Sequence, residues 1–502
     1  MYSVAPKTIK LSDSRAQTEF GISELTLMKN AANACFKQLY TAISSKSRIV
    51  ILCGKGNNGG DGYELCRLLH KEWFNTVCVN VFDCLPCTDT ALYVYNSLIA
   101  DGGKVLNSED ASSVLESADV IIDAIFGVGF YGTIENESNL GKLITLCNKN
   151  KNALRVSIDV PSGINSENGR ADGVVFNAHT TYTLAFYKTG SLSYPARKYC
   201  GNIELLKIGF PKELEDSTEK HALIPDMDYV KSALPKRHAN SHKGSFGRLL
   251  MFCGSEFMTG AAVLSANAAL RSGVGLLNIV QNKETLKILQ HHLAEPIFSP
   301  TETNTQEGVD NLLKLSEKAT AILTGCGLGQ QENDKNAVIS LIKHSDKPII
   351  LDADGINAVS GNTMVLKEAK QIAILTPHPL EFSRLTGKSV EEIQCDRINS
   401  ALDFSKEFGC VLVLKGASTV ITGPCGELAV CTAGGSGLSK GGSGDVLAGL
   451  CASLRAQGMS AFDSAVCGVY LHAHAGDILS QEISERGFLP SDLPMAIAKL
   501  LS

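Results

Sequence analysis

No apolar run in this 502-residue chain approaches the ~20 residues needed to span a bilayer, and the opening Met-Tyr-Ser-Val-Ala-Pro-Lys has no apolar stretch of a secretory leader. The expectation is a cytosolic protein with no membrane partner. Basic residues are scarce against acidic ones: 46 Lys and Arg face 52 Asp and Glu, a formal charge of -6. Without a basic excess there is no electrostatic footprint for nucleic acid. The 16 cysteines lack the paired spacing of a metal or disulfide framework. They scatter through apolar stretches (Cys53, Cys253, Cys451, Cys467), where a reduced thiol packs as a small hydrophobe. The one close pair, Cys84 and Cys87, has no second pair for zinc. It reads as a loop with two free thiols, a redox or metal role being the alternative.

What is present is the alternation of an α/β protein. Apolar residues make up 44% of the chain and charged residues 20%, and the length calls for two domains of roughly 200 to 270 residues. Short β-branched runs such as Arg48–Cys53, Val77–Phe82, Ala118–Asp123 and Leu154–Asp159 alternate with amphipathic stretches, the pattern of a parallel sheet covered by helices. From about Pro211 to Lys236 the periodicity fades into Glu, Lys, Asp and Pro, which reads as a connection. The alternation restarts at Gly247–Cys253 and continues through Ala321–Thr324, Pro348–Asp352, Ile372–Thr376 and Cys410–Lys415. The expected division is a first domain over 1–215, a linker over 216–229 and a second domain over 230–502.

Two glycine clusters carry chemistry. Gly442-Ser443-Gly444-Asp445 opens an apolar helical run, so backbone amides can close on an anion while Asp445 stands where a base for phosphoryl transfer is needed. Gly54 to Gly62 is too polar and glycine-rich for a helix interior, and is expected to be a phosphate-cradling loop before a helix resumes at Tyr63. Asp123 and Asp159 each end an apolar strand, as helix caps or as site residues, and Phe126 to Gly132 is a glycine-rich turn. Ligands in such sheets bind beyond the carboxyl ends of the strands, so these segments are expected to converge on one pocket. In the second half, the small-residue run Ala261–Arg271 predicts close helix packing. His378, flanked by Pro377 and Pro379, sits on a loop, either presenting its imidazole or capping a helix.

These motifs carry a resemblance. Leu27–Ala31, Gly54–Arg67, Ile121–Gly132 and Ser157–Gly163 resemble the NAD(P)H-hydrate epimerase family, the amino-terminal YjeF domain. The resemblance implies a Rossmann-like three-layer domain that interconverts the epimers of hydrated NADH or NADPH. It implies that Asn57, Asn58, Gly59, Gly60 and Asp61 hold the nucleotide together with Gly127, Val128, Gly129, Phe130, Tyr131 and Gly132. By the same resemblance Asp159 meets the damaged ring, and Asn58, Asp123 and Ser162 ligate a potassium ion. An oxygen-only ligand set suits that hard cation.

Gly254–Ala262, Gly325–Gly329, Leu351–Asp354, Thr376–Phe382, Lys415–Thr419 and Gly442–Gly449 resemble the ribokinase-like, ADP-dependent NAD(P)H-hydrate dehydratases, with Ser443 where Thr is commoner. Carried over, Ala261, Gly327, His378 and Asp445 meet the hydrated nucleotide, while Lys415, Gly416, Ala417, Ser418, Thr419 and Gly444 meet ADP, with magnesium held mostly by phosphates and water. The implied protein is a two-domain isomerase and lyase acting on hydrated NADH, hydrated NADPH and ADP, with self-association left open. The competing readings are a ribokinase-type small-molecule kinase with a regulatory first domain, and a non-catalytic interaction protein.

Overall fold

Along the strand Arg48–Cys53, Ile49, Ile51 and Cys53 join one apolar cluster while Val50 and Leu52 join another. A strand buried on both faces is what a parallel sheet between helical layers requires. This strand, β1, lies within a seven-stranded sheet with β2 (Asn75–Asn80), β3 (Val105–Asn107), β4 (Val120–Ala124), β5 (Leu154–Ile158), β6 (Thr180–Leu184) and β7 (Asn202–Leu206). All pairs are parallel, in the order β3-β2-β1-β4-β5-β6-β7. The order reverses between β1 and β4, which opens the crevice where ligands of such sheets bind. The computed structural model describes residues 1–501 and divides them into a unit over Tyr2–Ala222, which holds this sheet, and a second from Leu223 onward that also takes in Met1.

Helix α1 (Pro6–Phe20) starts with proline at its first turn and closes on Gly21 at φ 67°, as helix ends favour. Its buried face carries Ile9, Ser12 and Ala16. Helix α2 begins at Asn57 and runs to Lys71, which corrects the expectation of a loop to Gly62. The reason is packing. A Cβ at Gly59 would overlap the Gly54 carbonyl oxygen, one at Gly60 would lie 2.5 Å from the Met28 methyl, and one at Gly62 would lie 2.6 Å from the Ala124 Cβ. Each glycine costs about 1 kcal/mol of helix propensity, yet only glycine lets α2 lie this close to the strands.

In the second unit, β8 (Arg248–Phe252), β9 (Leu276–Gln281), β10 (Ile297–Pro300), β11 (Ala321–Thr324), β12 (Ile349–Leu351), β13 (Ile374–Leu375) and β14 (Val411–Leu414) are parallel. They stand in the order β10-β9-β8-β11-β12-β13-β14, followed by antiparallel β15 (Thr419–Thr422) and β16 (Leu428–Cys431). The order again reverses, between β8 and β11. The expected close packing of Ala261–Arg271 is seen: α3 (Thr259–Arg271) buries Ala262, Ser265, Ala266, Ala268 and Ala269. A Cβ on Gly449 of the facing helix would overlap the Ser265 carbonyl.

The segment expected as a linker over 216–229 is ordered, and the unit boundary falls inside it. Lys212–Ser217 and Met227–Ala233 are helical, the latter capped by Asp226. Leu214 and Val230 are fully buried among the charged residues, each in the core of its own unit. Charge density on the outer faces hid these apolar anchors.

Candidate functional sites

A cavity of about 710 Å³ opens where β1 and β4 end. Of the residues that the resemblance assigned to the nucleotide, Asn57, Asn58, Asp61, Gly127, Val128, Gly129, Phe130 and Asp159 line it. Gly59 and Gly60 lie in the tightly packed turn of α2, and Tyr131, 59% exposed, and Gly132 stand outside the lining. The Asn57 amide is held by protein: its nitrogen donates to Glu24 Oε1 and its oxygen accepts from Thr88 Oγ1 at 2.6 Å. Glu24 is fixed in turn by Thr90 Oγ1 at 2.9 Å. Asn58 differs, being buried with an amide nitrogen that has no partner.

Asp159 is neither helix cap nor free acid. It sits at φ 69°, a left-handed conformation that costs of order 1–3 kcal/mol outside glycine, and its carboxylate is ion-paired with Lys188. Lys188 is only 1% exposed and also donates to the Leu184 carbonyl at 2.6 Å. A Cβ at Gly127 would lie 3.2 Å from Asp159 Oδ2, a tight approach that the bare glycine relieves. Asp123 is fully buried and accepts from Ser162 N and Oγ, both at 2.7 Å, from Ile125 N at 3.1 Å and from Ser157 Oγ at 3.2 Å. Burial pushes its carboxyl up to about 6, against the pull of those hydrogen bonds. Asp13 of α1 also lines the cavity. Its side chain is exposed, yet desolvation by the surrounding cavity wall, reinforced by the Asp159 charge, pushes it up to about 6, and burial with the Asp159 and Asp13 charges raises Asp61 well above the carboxylate range.

In the second unit, helix α4 (Pro379–Thr386) and helix α5 (Ser443–Ala456) deliver the polar groups. Asp445 lies in the first turn of α5 after Gly442, which takes φ 99°. Its ligand atom lies within 4.8 Å of those of Cys326 and Asp352. Asp352 is 2% exposed and accepts from Lys415 Nζ at 2.8 Å and Thr376 Oγ1 at 2.6 Å. Burial, then the Asp352 charge, raises the Asp445 carboxyl to about 6, while Cys326 and Lys415 pull it down. Between Asp352 and Asp354 the backbone is strained, Ala353 standing at φ 46°, and Asp354 Oδ2 ties down Gly329 N at 2.8 Å.

Around this cluster the expected residues fall into groups. A Cβ at Gly444 would lie 3.4 Å from Lys415 Nζ, and one at Gly327 would lie 2.8 Å from the Ala261 Cβ. Gly416, Ala417 and Ser418 form the turn between β14 and β15, and the Thr419 hydroxyl closes it on the Gly416 carbonyl at 2.9 Å. The Lys415 ammonium itself points to Asp352, with Glu381 at 3.9 Å. His378 is the N-cap of α4: its Nδ1 accepts from Leu380 N at 3.2 Å and Glu381 N at 3.3 Å, and Glu381 Oε2 accepts from His378 N at 2.8 Å. Ser443 Oγ lies 3.1 Å from Nε2 of buried His472, whose imidazole burial drives down to about 4 and so keeps neutral. Cys84 and Cys87 are exposed free thiols. Sequence reasoning missed Asp13, Glu24 and Lys188, and left Asp352 without a role. A carboxylate ending an apolar strand was a signal for Asp352, whereas nothing in α1 marked Asp13.

The doubly wound first domain and the second sheet, with an acid beside a glycine-opened helix, define an α/β nucleotide enzyme. Residues 24–190 match the YjeF-related protein N-terminus family, and residues 249–499 match the NAD(P)H-hydrate dehydratase family. A bifunctional NAD(P)H-hydrate repair enzyme of Moorella thermoacetica is 33% identical over 98% of this chain and 95% of its own. That of Escherichia coli is 31% identical over 98% and 93%. A solved ADP/ATP-dependent NAD(P)H-hydrate dehydratase from Bacillus subtilis, co-crystallised with ATP and Mg2+, is 32% identical, covering 56% of this chain and 98% of its own at a TM-score of 0.50. The chain belongs to the bifunctional NAD(P)H-hydrate repair enzyme family. It is therefore an enzyme, and the reading as a small-molecule kinase with a regulatory first domain gives way, because full-length relatives carry both domains in one repair enzyme. Among the described residues no helix is long and apolar enough to cross a membrane.

Proposed function

We propose that the unit over Tyr2–Ala222 epimerises hydrated NADH and NADPH and that the unit from Leu223 onward dehydrates the S epimer at the expense of ADP. The observation that carries the second assignment is Asp445, raised to about 6 in the first turn of α5 beside the Lys415-neutralised Asp352. A carboxyl poised near neutral pH is a competent general base. In this reading Asp445 takes the proton of the ring hydroxyl as that oxygen attacks the terminal phosphoryl of ADP, and amides at the start of α5 face the developing charge. Phosphate then leaves where hydroxide would not, driven by the ring nitrogen lone pair, and loss of a proton from the adjacent ring carbon to solvent restores the double bond, yielding NADH or NADPH, AMP and phosphate.

Magnesium fits the site only as the nucleotide's partner. A thiol is a soft ligand, and Asp352 already holds Lys415, so Cys326, Asp352 and Asp445 make no dedicated cage for a hard cation. When bound through phosphates and water it supplies charge neutralisation. Incubating the enzyme with hydrated NADH and ADP should restore absorbance at the reduced-nicotinamide band. No return with either ADP or ATP would overturn the repair reading.

Potassium at the first site has the support of the Asp123 and Ser162 oxygens, both buried; buried Asn58 can join them only through its amide oxygen, since its unpartnered nitrogen is a donor. Asp123 already accepts four hydrogen bonds, so a cation there would take the place of the Ser162 hydroxyl on Asp123 Oδ1. Asp123→Ala should then abolish any potassium dependence of epimerisation while ADP-driven repair of the S epimer continues. A wild-type epimerase indifferent to potassium replacement would remove the ion from the site. The reading gives a cytoplasmic enzyme, in keeping with cysteines buried as thiols in both domains.

A further inference from the structure

The epimerase cavity gathers more acid than substrate binding calls for. Asp13 from α1, Glu24, Asp61 from α2 and Asp159 line it, against the ammoniums of Lys10, Lys55 and Lys188. These carboxylates are not equivalent. Asp159 is locked to Lys188, and Glu24 is committed to Asn57 and Thr90. Asp61 lies on the first turns of α2, 9% exposed at the cavity lining, where burial favours the neutral acid, a hydrogen-bond donor. Asp13 alone combines a position on the cavity wall, exposure to solvent and, among the described residues, no hydrogen bond or ion pair that fixes its oxygens. It also lies before residue 24, outside the matched amino-terminal segment.

We propose that Asp13 is the acid–base residue of the first domain, relaying one proton between the hydroxyl oxygen and the ring nitrogen of the hydrated nicotinamide. The proposal rests on the epimerase reading above. The hydrated carbon carries both a hydroxyl and the ring nitrogen, so its configuration is lost when the carbon–nitrogen bond opens. Asp13 takes the hydroxyl proton as the oxygen becomes an aldehyde carbonyl. The electron pair of the breaking bond passes to nitrogen, which receives the proton from Asp13. Rotation and re-addition of nitrogen to the other face reverse each transfer, leaving the opposite epimer with no net change in protons or electrons. One carboxyl suffices if it exchanges protons at working pH, and Asp13, near 6 and set apart from Asp61, whose affinity burial raises well above the carboxylate range, is the one placed to do so.

The groups facing Asp13 set the sign of its pH behaviour. Burial, Asp159 and Glu24 raise it, and Lys188 lowers it. A carboxyl raised in the folded state favours folding least above its folded value, so its burden on stability grows as pH rises from the ordinary 3.8 to about 6.

The test uses the full chain, hydrated NADH enriched in the R epimer, and chromatographic separation of epimers, with ADP-driven repair of the S epimer as the control that the protein is folded. In wild type the epimerisation rate should fall on acidification through about pH 6. Asp13→Asn should lower its kcat by roughly 10²–10⁴-fold with KM changed little, lose that limb, and melt no lower than wild type above pH 6. Asp13→Glu should recover part of the rate. Epimerisation of Asp13→Asn at the wild-type rate, or a retained acid limb in that variant, overturns the proposal. A wild-type enzyme with no epimerase activity overturns the underlying reading instead.

Discussion

Asp445→Asn is expected to lower dehydratase turnover by about two to four orders of magnitude, the range for loss of a general base, while ADP and the hydrated nucleotide still bind. Asn keeps the shape of the first turn of α5 and its amides, so only the proton acceptor goes. The pH profile supplies a second signature. With a carboxyl near 6, wild-type turnover should fall about tenfold per pH unit on acidification below that value, because the protonated acid cannot accept the hydroxyl proton. The variant should be flat over the same range. Epimerisation by the first unit should be untouched and reports that the chain is intact. Near-normal turnover in Asp445→Asn would move the base elsewhere, and no other carboxylate in the cluster is free, since Asp352 holds Lys415 and Asp354 holds Gly329.

Why was Asp445 legible when Asp13 and Lys188 were not? Asp445 sits inside a contiguous string, Gly442 to Gly449, whose small residues have a local reason: a helix start open to an anion and a helix face pressed on Ser265. Strands β1 and β4 were legible for a similar reason, being largely apolar on both faces, and β5 by the alternation of Leu154, Val156 and Ile158. By contrast β6, Thr180–Leu184, mixes Thr and Tyr and read as no strand at all, although four of its five residues are buried. Lys188 depends on that missed strand, since it anchors to Leu184 and reaches Asp159 across the fold. Asp13 is one acid among several polar residues of an amphipathic helix, and only the packing of α1 places it on the cavity. Strings that pack against themselves declare their role, whereas single residues brought in from distant elements do not. The start of α2 shows the reverse error: six polar and glycine residues look unhelical until the contacts that demand glycine are known.

The Lys415–Asp352 pair carries the second large effect, on stability as well as rate. Lys415→Met keeps the length of the side chain and removes the ammonium, leaving Asp352, 2% exposed, with Thr376 and Cys326 as remaining donors. Breaking a buried pair from one side costs about 3–5 kcal/mol, because the orphaned carboxylate keeps its desolvation penalty. In a domain of this size that corresponds to a fall on the order of 10 °C in the melting temperature of the second unit. Adding Asp352→Asn removes the orphaned charge and should return most of the loss. Turnover should not return with it. The ammonium lies beside Gly444 and Asp445, where the phosphoryl group must pass, and replacing both partners restores a neutral site without restoring a cation. In the single variant the acid limb should also move to higher pH, since the Lys415 charge that draws Asp445 down is gone and the Asp352 charge that raises it remains. Calorimetry of the two variants beside wild type, with turnover across pH, separates the roles. Should Lys415→Met melt with wild type, or the double variant regain full turnover, the pair would be neither a buried support of the fold nor a working part of phosphoryl transfer.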